Sequence, residues 1–357
     1  MKIKTVNRLF HTRYPFLDWI QVEISSYCNG ECIYCPRTIY RHNWKNRYLN
    51  KDTFQALTPA FKKTRLVYLQ GWGEPFTHPD FFKLVRIAKS AGAMVGTTTN
   101  GNLINERLAE RIVNSGMDIL AFSLAGLDEK NDAIRKGTKI KTVLSAINHI
   151  HRAKHKYAVN NPKIHIAYML LRSGLNDLEN LSDFLINTGV DQAVVSSLSF
   201  VPHLDLIPES VLANSENKWN KLKNNLIAIQ QHAIDSGTDV RFHMVAPLTV
   251  SLFPRAMPCS ENVTRAMVVG SDGTVSPCVM KNLPLSGKNY YYFNNQKILH
   301  QNLKFGDIHK NPLNHIWHQK TYRQFVRLSK RGSVPASCKD CYKRYIDRLE
   351  PDNSWFM

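Results

Sequence analysis

Three cysteines stand close together in Ser26-Tyr27-Cys28-Asn29-Gly30-Glu31-Cys32-Ile33-Tyr34-Cys35-Pro36. The spacing C-x3-C-x2-C places three thiolates on one short loop. Three thiolates hold three corners of a [4Fe–4S] cube, whereas ordinary electron-transfer clusters of this type take four. The fourth iron then keeps a position open for a small molecule, and the cluster becomes a catalytic one. The competing chemistry for the same residues is a zinc site completed by a ligand from elsewhere, such as a histidine.

The remaining cysteines form a second group: Cys259, then Cys278 in Gly273-x4-Cys278, then Cys338-x2-Cys341. Four thiolates suit either a closed zinc site or a fully ligated [4Fe–4S] cluster. All 7 cysteines fall in these two groups. An odd number argues against a full set of disulfides and for metal or redox chemistry in a reducing compartment. No run of 18 apolar residues occurs, and Met1–Ile20 lacks the apolar core of a secretory signal. The cytoplasm is therefore the expected location.

These groups need a scaffold, and the chain offers an alternating one. Strand-like runs at Trp19–Ile24, Arg65–Gln70, Met94–Thr99, Asp118–Leu124, Ile164–Leu170 and Gln192–Ser199 are rich in Val, Ile, Tyr and Thr. Amphipathic helical patterns separate them at Lys51–Lys62, Pro79–Ser90, Asn105–Ser115, Lys141–Tyr157 and Asn176–Thr188. Six such units predict an α/β fold with a parallel sheet, too few for a closed eight-unit barrel. Sites in such sheets lie at the C-terminal strand ends, so chemical motifs should follow strands. After Pro208 the pattern changes. A long helix is expected over Glu216–Ser236, short strands at Val240–Met244 and Arg265–Gly270, a last helix over Pro312–Leu328, and a surface loop at Asn289–Gln296. Residues 1–207 are thus expected to form the barrel and 208–357 a small α+β cluster-binding domain.

The net charge is +19, and it is clustered. Pro36–Lys51 holds five basic residues and no acidic one, Ile134–Lys156 seven and none, and Gly273–Gly306 four lysines and none. Such a field favours anionic partners: nucleic acid, phosphates, acidic peptides or an acidic electron donor.

The cysteine loop with Tyr34 before its last cysteine resembles the signature of the radical S-adenosylmethionine (SAM) superfamily. The resemblance continues over about residues 15–205. Gly71-Trp72-Gly73-Glu74-Pro75 is similar to the family's G-G-E-P motif, with Trp72 in place of the second glycine. It implies that the open iron takes the amino and carboxylate groups of SAM, whose reductive cleavage yields a 5′-deoxyadenosyl radical. It also implies SAM contacts from Gly71, Trp72, Gly73 and Glu74, from Asn100 and Ser123 after the third and fourth strands, and from Arg172 and Ser197 (with Ser196) near the fifth and sixth. The fold implied is a partial (β/α)6 barrel. The second cysteine group resembles the SPASM and twitch domains, which bind auxiliary clusters. Lys343–Met357 holds no further cysteine, so a single auxiliary [4Fe–4S] cluster, as in the shorter twitch form, is implied. Val279 stands where sulfatase-maturing relatives carry an aspartate, which counts against that reaction.

The expected activity is hydrogen-atom abstraction from a substrate, with the auxiliary cluster taking an electron. The net result is a two-electron oxidation of a peptide or small anionic molecule, in natural-product or cofactor biosynthesis, fed by a flavodoxin- or ferredoxin-type donor. A redox-neutral epimerisation or rearrangement on the same core is the alternative. A zinc-containing nucleic-acid-binding protein is a remote third reading, because no basic recognition helix or single-strand platform stands out. Such an oxidation also needs a base. His203, His243, Asp205 and Glu23 are candidates by position alone, each more plausibly structural. Only 27 residues precede Cys28, too few for a peptide-recognition domain.

Overall fold

The computed structural model describes residues 16–212, 215–248 and 259–349. The part of the N-terminus read against a secretory signal lies, up to residue 15, outside the described residues. The strands are β1 Leu17–Val22, β2 Glu31–Cys32, β3 Thr64–Tyr68, β4 Met94–Thr99, β5 Ile119–Leu124, β6 Arg135–Lys136, β7 Lys163–Leu170, β8 Gln192–Ser197, β9 Asp239–Val245, β10 Ala266–Val269, β11 Thr274–Ser276, β12 Tyr290–Phe293, β13 Gln296–Leu299, β14 Gly306–Asp307 and β15 Ile346–Leu349. Among the described residues one sheet runs in the order β14-β11-β10-β1-β3-β4-β5-β7-β8-β9-β15.

The six expected strands pair in parallel in sequence order, joined by crossover helices. Each helix buries one stripe at three- and four-residue spacing. Ile140–Lys156 buries Ile140, Val143, Ala146, Ile147, Ile150 and Ala153. The strands alternate. In β7, Ile164, Ile166, Tyr168 and Leu170 are buried, while Ala167 and Met169 between them line the concave face.

The parallel sheet does not stop at residue 207. The helix Glu216–Asp235 crosses over to β9, which adds in parallel with Gln192 opposite Asp239. β10 then joins the other side in parallel with β1, Trp19 opposite Ala266. β15 closes the far edge antiparallel to β9. The C-terminal half therefore covers both flanks of the first half's sheet and leaves fewer open edges. Three helical readings are also shortened. Lys51–Lys62 divides into Lys51–Gln55 and Thr58–Phe61, because Pro59 fits a first helical turn and breaks a continuous one. Asn176–Thr188 begins as a 3₁₀ turn and becomes α-helical only at Leu181. Pro312–Leu328 breaks at Gln319, whose backbone is extended. The expected surface loop at Asn289–Gln296 is a hairpin, β12–β13, with Tyr291 buried in it.

Candidate active site

The cysteine loop leaves the C-terminal end of β1 and is held from three sides. Trp44 Nε1 donates to the Ser26 carbonyl at 3.1 Å, and the Glu74 amide donates to the Tyr27 carbonyl at 2.7 Å. β2 pairs antiparallel with β6, setting Cys32 opposite Arg135. Asn100, just past β4, donates to Asn29 Oδ1 at 2.7 Å and lies 3.9 Å from Cys28 Sγ.

The loop Gly71–Glu74 follows β3 and packs against this loop so closely that side chains are excluded. A Cβ on Gly73 would sit 2.4 Å from the Ser25 and Tyr27 carbonyl oxygens, and one on Gly71 2.1 Å from Glu23 Cγ. Glu74 is buried. Its carboxylate accepts from Thr99 Oγ1 at 2.8 Å, from the Asn100 amide at 2.8 Å and from the Phe76 amide at 3.3 Å. Burial raises its pKa against these hydrogen bonds.

These segments enclose a cavity of about 310 Å³ at the C-terminal strand ends. Its wall includes Cys28, Cys32, Cys35, Tyr34, Gly71, Trp72, Gly73, Glu74, Asn100 and Ser123. It also includes Met280, two residues beyond Cys278. Two expected residues are absent from it. Arg172 is exposed and turns away: its guanidinium donates to the carbonyls of Pro208, Ser210 and Leu212 at 3.0, 3.1 and 3.2 Å. Ser197 points to the opposite face of β8, where its Oγ accepts from the Val245 amide at 2.9 Å. Its neighbour Ser196 lines the cavity instead, as the two-residue period of a strand requires.

The cation the sequence reading missed is Arg135. It is buried, lines the cavity and donates to the Tyr34 hydroxyl. Burial opposes its charge, but Tyr34 and the Cys32 and Cys28 sulfurs more than compensate and raise its pKa. Its sequence signal was a place in a basic run; only the β2–β6 pairing brings it inward. None of the four candidate bases lines the cavity. Glu23 is buried and bridges the two halves, accepting from the Trp72 amide at 2.9 Å and from the Ser271 hydroxyl at 2.8 Å. His203 and Asp205 face each other at 3.3 Å with exposed side chains. His243 stands beside Ser196 in the β8–β9 register, outside the wall.

Cys259, Cys278, Cys338 and Cys341 come together from distant segments and raise one another's pKa. Burial is the first cause in each, pushing Cys259 up to about 12. In the first group burial likewise raises Cys28, and pushes Cys35 up to about 12. Both sets consist of poorly hydrated thiols, which metal coordination deprotonates. Among the described residues no three His, Cys, Asp or Glu side chains converge on a point for a single ion. Zinc–sulfur bonds of about 2.3 Å demand such convergence, whereas a cube holds its cysteines further apart. The hairpin fixes the second group's last loop: Tyr291 donates to the Asp340 carbonyl at 2.7 Å, and the Asn294 amide donates to the Tyr342 hydroxyl at 2.7 Å.

A family model described as the radical SAM superfamily matches residues 22–185. The SPASM model, an iron–sulfur cluster-binding domain, matches residues 259–342. The chain belongs to the radical SAM superfamily, in its SPASM subgroup. Radical SAM chemistry brings a [4Fe–4S] cluster and SAM to the first half, and the SPASM domain brings iron–sulfur to the second, so the zinc readings fall away. The chain is 25% identical over 337 residues to the tungsten-containing aldehyde ferredoxin oxidoreductase cofactor-modifying protein of Pyrococcus furiosus, covering 92% of this chain and 88% of that one. It is 27% identical over 237 residues to the GTP 3′,8-cyclase of Psychromonas ingrahamii, covering 63% of this chain and 66% of that one. SAM-bound SuiB of Streptococcus suis superposes with a TM-score of 0.63 at 15% identity, over 93% of this chain and 72% of that chain. AdoMet-bound anSMEcpe does so with 0.62 at 17%, over 92% and 87%. At such identities the structures speak to the fold. Among the described residues no helix is long and apolar enough to cross a membrane.

Proposed function

We propose that this radical SAM enzyme abstracts a hydrogen atom from a small anionic molecule, of the cofactor-precursor class, and completes a two-electron oxidation through the SPASM centre. The observation that carries the reading is a single cavity whose wall runs from Cys28, Cys32 and Cys35 to Met280, beside Cys278. A substrate there lies between the two cysteine groups, so an electron has a short route from one side to the other. When bound, the first cluster and SAM supply the reductively generated 5′-deoxyadenosyl radical.

The chain's residues have the following roles. Cys28, Cys32 and Cys35 hold three irons. Gly71, Trp72 and Gly73 keep backbone close to SAM, and Glu74 fixes that loop to Asn100. Ser123, Ser196 and Arg135 offer polar contacts to the SAM carboxylate and ribose or to the substrate's anionic group. Trp72 adds a link of this chain's own: its indole Nε1 donates to the Val279 carbonyl at 3.3 Å, tying the SAM-side loop to the residue after Cys278.

The cofactor-precursor class is favoured by the Pyrococcus furiosus relative, which matches along most of both chains and is itself cofactor-modifying. A peptide substrate is the second reading; solved SuiB and anSMEcpe hold the peptides SuiA and Cp18Cys. The test is anaerobic reconstitution followed by incubation with SAM, dithionite and fractionated metabolites in deuterated and ordinary form. Deuterium appearing in 5′-deoxyadenosine, with a product lighter by two hydrogens, supports the oxidation. An unchanged product mass would replace it with a redox-neutral reaction.

A further inference from the structure

Two of the basic runs, far apart in sequence, meet at the cysteine loop. β2 within the loop pairs with β6, so Lys136 lies opposite Glu31, and the Ile33 amide donates to the Ile134 carbonyl at 2.9 Å. At the loop's start, Ser26 Oγ donates to the Lys45 carbonyl at 2.9 Å, and the Ser26 amide to the Arg47 carbonyl at 2.9 Å. Arg41 follows one short helix after Cys35. Arg41, Lys45, Arg47, Lys136 and Lys139 are all exposed, and none forms a salt bridge with a carboxylate of the described residues. Glu31 is the carboxylate among them, outnumbered five to one.

Elsewhere the positive charge is spent. Lys130 pairs with Asp177 at 2.5 Å, Lys156 with Glu110 at 2.6 Å, and Lys304 with Asp272 at 3.4 Å. Beside the loop a polar pocket of about 120 Å³ is lined by Glu31, Arg37, Thr38, Arg41, Trp44 and Asn46. Arg37 Nε and Thr38 Oγ1, two of its polar atoms, are buried without a hydrogen-bond partner. An orphaned guanidinium N–H beside an unneutralised cationic rim calls for an acceptor from outside.

We propose that this collar docks an acidic, one-electron carrier protein, seating a surface carboxylate of the carrier at the Arg37 pocket. The inference rests on the radical SAM reading. The chemistry balances simply: the carrier is oxidised by one electron, and the adjacent cluster is reduced from the 2+ to the 1+ state. Complementary charge mainly accelerates encounter, so salt weakens it.

The probe is flavodoxin hydroquinone with the reconstituted enzyme, comparing wild type with the triple variant Arg41→Glu/Lys45→Glu/Lys136→Glu. Surface plasmon resonance reads flavodoxin binding, stopped-flow absorbance reads cluster reduction, and dithionite supplies a small donor that needs no docking. At about 20 mM salt we expect at least about tenfold weaker binding and slower reduction by flavodoxin, with the difference shrinking near 0.5 M salt. Dithionite-driven 5′-deoxyadenosine is expected to stay at the wild-type level. Unchanged binding and reduction would overturn the proposal. If dithionite-driven turnover falls as well, glutamine replacements at the same positions decide: a flavodoxin-specific, salt-dependent loss supports the collar, and its absence refutes it. Failure of wild type to cleave SAM with dithionite would instead count against the enzymatic reading itself.

Discussion

The two cysteine groups solve one coordination problem in opposite ways. The first takes its thiols from one loop between Cys28 and Cys35 and opens onto a cavity. The second collects Cys259, Cys278, Cys338 and Cys341 across half the sequence, and Cys278 is fully buried from the cavity side. Three local ligands leave an iron free for a small molecule, whereas four nonlocal ones close the cluster and leave it electron transfer. The difference also implies different debts to folding. A short loop needs only its strand and a few hydrogen bonds, while the second site exists only once β10, β11 and the hairpin are in place.

The sharpest way to break this contrast is to remove one group at a time. Replacing Cys28, Cys32 and Cys35 together by alanine should abolish 5′-deoxyadenosine formation, and bound iron should fall from about eight to about four per chain. Chromatography of the reaction and an iron assay check both. Cys278→Ala should lower iron similarly yet leave 5′-deoxyadenosine within a few-fold of wild type, while the oxidised product disappears. Equal loss of SAM cleavage in both variants would mean that the second centre is structural.

A smaller effect separates two arginines. Arg135→Ala should raise the KM for SAM or for the substrate about 10- to 100-fold, since a buried cation leaves the cavity wall. Arg172→Ala should leave that KM unchanged and cost about 1–2 kcal/mol of stability, through the freed carbonyls of Pro208, Ser210 and Leu212. Steady-state kinetics and thermal unfolding distinguish the two, and a KM effect at Arg172 would restore the reading from sequence.

The smallest effect concerns the scaffold the two sites share. Burial lowers the pKa of His165, in β7, to about 4 from an ordinary 6.5, against nearby Asp191. Above pH 6.5 the ring is neutral in both folded and unfolded chains. Between 6.5 and about 4 only the unfolded chain takes up the proton, so stability falls with pH, by no more than about 3 kcal/mol. Denaturant unfolding from pH 7.5 to 4.5 measures the slope, which His165→Asn should flatten. An unchanged slope in the variant would assign it to other groups.

Much of the first site was legible because it is local. The cysteine loop, the Gly71–Glu74 loop, Asn100 and Ser123 each follow a strand, and strands reveal themselves by composition and length. What failed did so for nonlocal or one-residue reasons. Arg172 was chosen for its charge and place after β7, yet the 208–212 segment captures it. Arg135 looked like surface charge until a two-residue pairing turned it inward. Ser197 and Ser196 differ by one position, and in a strand one position is the other face.

By itself the sequence determined the chemistry of the first cysteine group and the order of the parallel strands. It also confined all seven cysteines to two groups. Only the tertiary structure decided that β9, β10 and β15 extend and flank the first half's sheet, that Trp72 reaches the Val279 carbonyl, and that two basic runs surround one loop. The physical reason is range. Residue type and spacing encode what neighbours in the chain do together, while pairing register and packing choose which distant residues meet.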